Sequence, residues 1–293
     1  MNSFFAGAQR IGARPGGMTL AALALLVSGT GALAGSARKV PEGALAQAQH
    51  RYARVAAARA HQGAPLDRLF EKAGVPYPAP LVVQVFKEEG VLELWAAPEP
   101  AGPYRRVVAW PLTGYSGDLG PKRRRGDRQI PEGFYRIDGF NGASRYHLSL
   151  HIDYPNRADR FFAHERHPGN NIFIHGNELT NGCIPIGDHA IEQLYVAVLD
   201  SRDAGFEVPA HLFPCRFDTP VCARRLRADS RHNPKLAAFW TNLEEGFRWF
   251  STTATRPVIT VDVTGRYGFA APDRVAVEAP APVAPSEPAG RVP

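Results

Sequence analysis

Cysteine is scarce in this chain: three in 293 residues, none in a Cys-x-x-Cys pair. That spacing argues against a Cys-rich zinc module, and three cysteines are too few for a disulfide scaffold. Charge of one sign is not in large excess either, with 34 Lys and Arg against 28 Asp and Glu and a formal net charge of +6. The one dense basic run is Lys122-Arg-Arg-Arg125, read as a solvated loop, so no nucleic-acid partner is expected. Long apolar runs are also missing. The longest, Met18 to Val27, is too short to span a bilayer, so no transmembrane segment is expected in the mature chain.

That short run carries information of its own. Arg10 and Arg14 precede it, and Ala32-Leu33-Ala34 follows it, the plan of a secretory signal peptide. Cleavage there predicts a mature chain starting near Gly35 and a periplasmic location. Three cysteines in an exported chain leave one odd thiol. Cys215 and Cys222, flanking a Pro-containing turn, could pair, which would leave Cys183 free.

Cys183 stands in the most informative stretch, Asn171 to Ile186. Ile172, Phe173 and Ile174 have strand character and stop at His175-Gly176; a polar turn then delivers Gly182-Cys183. A strand end thus holds an imidazole, and a Gly-preceded thiol returns eight residues later. The pattern suits a Cys–His nucleophilic pair, because the thiolate is the reactive species and a nearby imidazole helps form it. Gly182 allows positive φ or close substrate approach, and amide N–H groups around the thiol would stabilise an oxyanion. A buried inert cysteine and a zinc ligand are the competing readings. His175 and Cys183 would be only two ligands where a structural site takes four, so no metal is expected.

The remaining pattern is strand-rich. Leu81 to Lys87, Val91 to Trp95 and Tyr104 to Leu112 follow one another without a helix, which argues for an antiparallel sheet. Phe134 to Ile137, Tyr146 to Ile152, Phe206 to Phe213 and Pro257 to Asp262 read as further strands, the last closing the fold. Even spacing sets His147 and His151 on one face of a strand, neither with an evident partner. The stretch Asn156 to Asn170, with His164 and His167, reads as a loop bordering the site. Gly114 to Gly133 is a long loop, a length that favours a functional or mobile segment. Helices are expected over Ala44 to Ala60, ended by Gly63-Ala-Pro65; from a cap at Asp188 to about Asp203; and over Pro234 to Phe250. The Pro- and Ala-rich end cannot bury a core.

With these residues in view the chain resembles the YkuD-type L,D-transpeptidases of bacterial cell walls, closest to the YafK-like branch. The matching pieces are His175-Gly176, Thr180-x-Gly182-Cys183, and the loop from Gly120-Pro-Lys122 through Gly126-Asp127 to Pro131-Glu-Gly133-Phe134. Branch-level likeness adds Val85 to Trp95, Ser144 to Ser149, Tyr154-Pro-Asn156, His211 to Pro214 and Phe239-Trp240. Most of the broad family reads Ser-His-Gly-Cys-x-Arg at the nucleophile. Here the stretch is Thr180-Asn-Gly-Cys-Ile-Pro185, a departure shared by the branch.

The resemblance implies an α+β fold, mainly β: a YkuD-like β-sandwich catalytic domain with flanking helices. The expected divisions are a signal peptide (1–34), a helical N-terminal segment and linker (35–78), the catalytic domain (79–214), a C-terminal helix and strand extension (215–270) and a tail (271–293). It further implies Cys183 as nucleophile, His175 as general base, the Gly176 carbonyl orienting that imidazole, and Gly182 giving an oxyanion N–H. Thr180, Asn181, Tyr146 and His147 would contact substrate, and no cofactor is required. Expected partners are peptidoglycan stem peptides and, for a hydrolytic variant of the chemistry, a murein-linked lipoprotein. An inert murein-binding protein is the reading of another class.

Overall fold

The structure is a computed structural model that describes residues 43–163 and 168–272. The expected signal segment, the tail beyond 272, and His164 and His167 lie outside the described residues. Two helices open the described part, α1 (Ala44–His50) and α2 (Ala53–Ala73). The expected stop at Gly63-Ala-Pro65 is a misreading, since α2 runs through Pro65 to a left-handed cap at Gly74. Proline normally interrupts a helix because it removes an N–H and crowds the preceding turn. Here the stripe of Val55, Ala58, Gln62, Leu66 and Phe70 is buried on both sides of Pro65, and that packing carries the helix across.

The strands β1 (Leu81–Phe86), β2 (Val91–Ala96) and β3 (Arg105–Pro111) form the expected antiparallel meander. Next come β4 (Gly133–Asn141), β5 (Ser149–Ile152), the short helix α3 (Arg157–Phe162), β6 (Phe173–His175) and β7 (Ile184–Pro185). α3 occupies part of the stretch read as loop, opened by a capping box in which Asn156 and Asp159 exchange hydrogen bonds. α4 (Asp188–Asp203) leads to β8 (Val208–Phe213). Strand order is β3-β2-β1-β8-β4-β5-β6-β7, one mixed eight-stranded sheet in an α+β fold. Two pairs are parallel, β1 with β8 and β6 with β7. Reading adjacent runs as hairpins missed these, because β8 reaches the centre of the sheet only after the α4 crossover.

α4 is buried nearly all round, from Ala190 to Ser201, and not along one stripe. It lies between the sheet and the α1–α2 pair, so both its sides are covered. Asp188 does not cap it: Gly187 holds the cap position, and the Asp188 carboxylate accepts the Asn177 N–H at 2.8 Å instead.

The opposite sheet face is covered by the last elements, α5 (Pro220–Asp229), α6 (Pro234–Thr253) and the ribbon β9 (Val258–Val261) with β10 (Tyr267–Ala270). β9 therefore does not close the fold; β10 pairs with it in a separate two-stranded sheet. Phe86, Phe134, Phe213, Phe217, Trp240, Leu243, Phe247 and Tyr267 make this second core. α5 went unread although Thr219-Pro220 is a cap followed by Pro at the first helical position. Cys215 and Cys222 form a disulfide with Cα atoms 5.6 Å apart, tying the end of β8 to α5.

Candidate active site

Alternation along β6 and β7 sorts the site. Ile172, Ile174, Ile184 and Ile186 enter the core beneath α4. Phe173, His175 and Pro185, at intervening positions, face the other way, as does Cys183 just before β7. Ile174 pairs with Ile184 and His175 with Pro185. Extending that register sets Cys183 beside Phe173, one strand across from His175 and two residues back. Strand spacing makes this a diagonal of about 8 Å between Cα atoms.

His175 is 1% exposed. Its Nδ1 meets the Gly176 carbonyl oxygen at 2.5 Å, which assigns that nitrogen as the N–H and leaves Nε2 with the lone pair. Tyr146 lies over the imidazole, ring centroids 4.7 Å apart, and is itself exposed. Burial pushes the His175 pKa down, against the opposing pull of the Gly176 carbonyl, so the ring is neutral at neutral pH. Glycine at 176 is needed for close approach: a Cβ there would stand 2.5 Å from Asp188 Oδ1, 2.8 Å from the Tyr146 carbonyl and 2.9 Å from His147 Cβ.

Cys183 is the free cysteine and is partly exposed. Its Sγ lies 3.7 Å from the Asn171 carbonyl oxygen. Burial pushes the thiol pKa up, with the Phe173 N–H and the Lys122 charge pulling the other way. Among the described residues no hydrogen bond joins the sulfur to His175, so the resting pair is a protonated thiol turned toward Asn171 and a neutral imidazole. Rotation about the Cα–Cβ bond is what would bring the sulfur toward Nε2.

The other expected site residues divide. Thr180 spans the turn, its hydroxyl donating to the Cys183 carbonyl at 2.7 Å. Asn181 is exposed. Gly182 has φ of +97°, and its N–H donates to Ser116 Oγ at 2.8 Å. His147 precedes β5 with φ of +68°, a left-handed residue, so it does not share a strand face with His151. Both histidines have acidic partners, His147 with Glu192 at 2.8 Å and His151 with Asp138 at 2.6 Å.

Residues that sequence reasoning passed over complete the surroundings. Lys122, assigned to a solvated run, is 5% exposed and bonds Asp127 at 2.6 Å. Arg123 pairs with Asp159 at 3.3 Å and lies over the rings of Phe162 and Phe239. Only Arg124 and Arg125 are exposed. The Asp127 carboxylate also accepts the N–H groups of Arg123, Arg124 and Gln129, closing the loop on itself. An Asp two residues past the end of the basic run was the available signal. Among the described residues no group of three His, Cys, Asp or Glu could hold a metal ion.

A thiol and a buried, carbonyl-oriented imidazole thus share one face of a mixed sheet. The chain belongs to the YkuD L,D-transpeptidase family: the L,D-transpeptidase catalytic domain, YkuD, matches residues 82–210. YafK of Escherichia coli K12 is 30% identical over 197 residues, which cover 66% of this chain and 75% of that protein. Two solved structures are more distant. A mutant form of the helical cell shape determining protein Pgp2 from Campylobacter jejuni is 20% identical with a TM-score of 0.39, the match covering 51% of this chain and 55% of that one. Bd1075 of Bdellovibrio bacteriovorus is 18% identical with a TM-score of 0.35, covering 54% and 56%.

Proposed function

We propose that this chain is a cysteine-dependent L,D-transpeptidase acting in the periplasm on peptidoglycan stem peptides, at the carbonyl that follows the L-centre of diaminopimelate. The observation that carries the reading is the free, partly exposed Cys183 one strand across from His175, whose Nδ1 is held by the Gly176 carbonyl so that Nε2 is left to take a proton. No carboxylate is needed in that role, because a backbone carbonyl already selects the tautomer.

The chemistry follows from the resting charges. Cys183 turns from Asn171 toward His175 as substrate enters; Nε2 takes the thiol proton, and the sulfur attacks the peptide carbonyl carbon. The carbonyl π pair moves onto oxygen, where nearby donors stabilise it. As the oxyanion collapses, the carbon–nitrogen bond breaks, and the departing amine takes the proton from His175. A thioester on Cys183 remains. An incoming amine or water gives a proton to His175 and attacks the thioester, and the thiol is restored.

Amine attack forms a cross-link or attaches a lipoprotein; water gives hydrolysis. Hydrolysis is the second reading, releasing murein-linked lipoprotein. It is favoured by Asn181 and Pro185 standing where most of the family carries His and Arg. Muropeptide mass spectrometry of cell walls carrying the wild type or Cys183→Ala tests both. New diaminopimelate–diaminopimelate links support transfer, and loss of lipoprotein-bearing tripeptides supports hydrolysis. Identical walls with wild type and Cys183→Ala would refute enzymatic action and leave the inert murein-binding reading.

A further inference from the structure

The N–H of Gly182 is next to the thiol, yet it is engaged by the Ser116 hydroxyl at 2.8 Å. Ser116 belongs to the long segment between β3 and β4, and that segment is fastened along the site. Thr113 donates its N–H to the Pro185 carbonyl at 2.9 Å and its hydroxyl to the Asn177 carbonyl at 2.6 Å. Asp118 donates its N–H to Gln129 Oε1 at 3.2 Å. The Gln129 carbonyl also comes so near Gly182 that a Cβ there would meet it at 3.0 Å. The turn Thr180–Cys183 is therefore held at Gly182 by both Ser116 and Gln129.

A hydroxyl that accepts one N–H still has its own proton to give. Among the described residues that proton has no acceptor, and Ser116 is partly exposed on the rim of the site. The Cys183 N–H likewise has no acceptor among the described residues. Two donors are thus uncommitted around the Gly182–Cys183 peptide, the Cys183 N–H and the Ser116 hydroxyl, while the Gly182 N–H polarises that hydroxyl. Chained hydrogen bonds of this kind strengthen one another.

We infer that Ser116 is a catalytic residue, its hydroxyl relaying the Gly182 N–H to the oxyanion as the second donor beside the Cys183 N–H. This rests on the acyl-transfer reading of Cys183. No bond to Ser116 forms or breaks; its O–H donates to the carbonyl oxygen as that oxygen gains the electron pair, and the contact weakens again when the thioester carbonyl re-forms.

The test compares full-length wild type, Ser116→Ala, Ser116→Thr and Cys183→Ala. Each is assayed for turnover of purified murein stem peptides and, separately, for alkylation of Cys183 by iodoacetamide, which develops no oxyanion. Ser116→Ala is expected to lower kcat on the order of 10²-fold, the effect of losing one such donor. KM should stay within about threefold, the alkylation rate should be unchanged, and Ser116→Thr should recover most of kcat. Unchanged or higher kcat in Ser116→Ala would overturn the inference; a higher value would mean that the hydroxyl only blocks the Gly182 N–H. A parallel fall in alkylation would overturn it too, reducing Ser116 to a support for the turn. If Cys183→Ala turns over as fast as wild type, the acyl-transfer reading itself fails; if only Ser116→Ala does, that reading stands without this one.

Discussion

Replacing Lys87 by Met should destabilise the protein by about 3–5 kcal/mol, the usual consequence of stripping one partner from a buried ion pair. Lys87 and Glu132 have fully buried side chains 2.9 Å apart. All three ammonium protons are placed: on Glu132 Oε1, on the Gly120 carbonyl at 2.8 Å and on the Ile130 carbonyl at 3.1 Å. Glu132 in turn accepts the Gly120 N–H at 2.7 Å and the Trp240 indole N–H at 2.8 Å. Methionine fills most of the volume but leaves a carboxylate without its counter-ion and two carbonyls without a donor. At about 2–4 °C per kcal/mol for a domain of this size, the melting temperature should fall by roughly 6–20 °C. Gly120 and Ile130 belong to the segment between β3 and β4 that also carries Ser116, so activity should fall as well. Urea unfolding of Lys87→Met, Glu132→Gln and the double variant gives the coupling directly. The double variant should be more stable than Lys87→Met, because the stranded charge is gone. A single variant within about 1 kcal/mol of wild type, or strictly additive losses, would refute the reasoning.

Further expectations concern the site and its pH dependence. Iodoacetamide alkylation of Cys183 should rise through a midpoint above the ordinary thiol value, since burial outweighs the Phe173 N–H and the Lys122 charge; a midpoint near 7 would contradict the resting thiol. The acid limb of kcat/KM should fall below the ordinary histidine value, because the buried His175 stays neutral further into acid. Gly176→Ala should cost about 1–3 kcal/mol in urea unfolding and most of the activity, as its Cβ would meet Asp188, Tyr146 and His147. His211 is buried, its Nδ1 has no partner among the described residues, and burial pushes its pKa down to about 3. The unfolded chain therefore takes up a proton near pH 6.5 that the folded chain refuses, and stability is lost as pH falls from there toward 3. His211→Phe should lose about 3 kcal/mol less than wild type between pH 7 and 4; equal losses in urea unfolding would contradict this.

Some of this protein follows from local pattern alone. The strand meander, the helix from Asp188 to Asp203 and the pairing of Gly182-Cys183 with His175-Gly176 are short-range signals: alternation, helical spacing, and a glycine beside a thiol. Even the imidazole's contact with the Gly176 carbonyl spans one residue and can be read from the chain. Other features depend on partners distant in sequence. The passage of α2 through Pro65 depends on burial of the stripe on both sides of it. The place of β8 at the sheet centre depends on what α4 crosses over. Lys122 and Arg123 look solvated until Asp127 and Asp159 are seen beside them.

The site shows the same division most clearly. Residue type and spacing along one segment determine which sulfur and which ring can meet, because β6, the turn and β7 are contiguous. They do not determine which way the Gly182 N–H points or what it meets, since its acceptor, Ser116, is 66 residues earlier. Only the folded chain, by closing that segment over the turn, decides which donors remain beside the thiol.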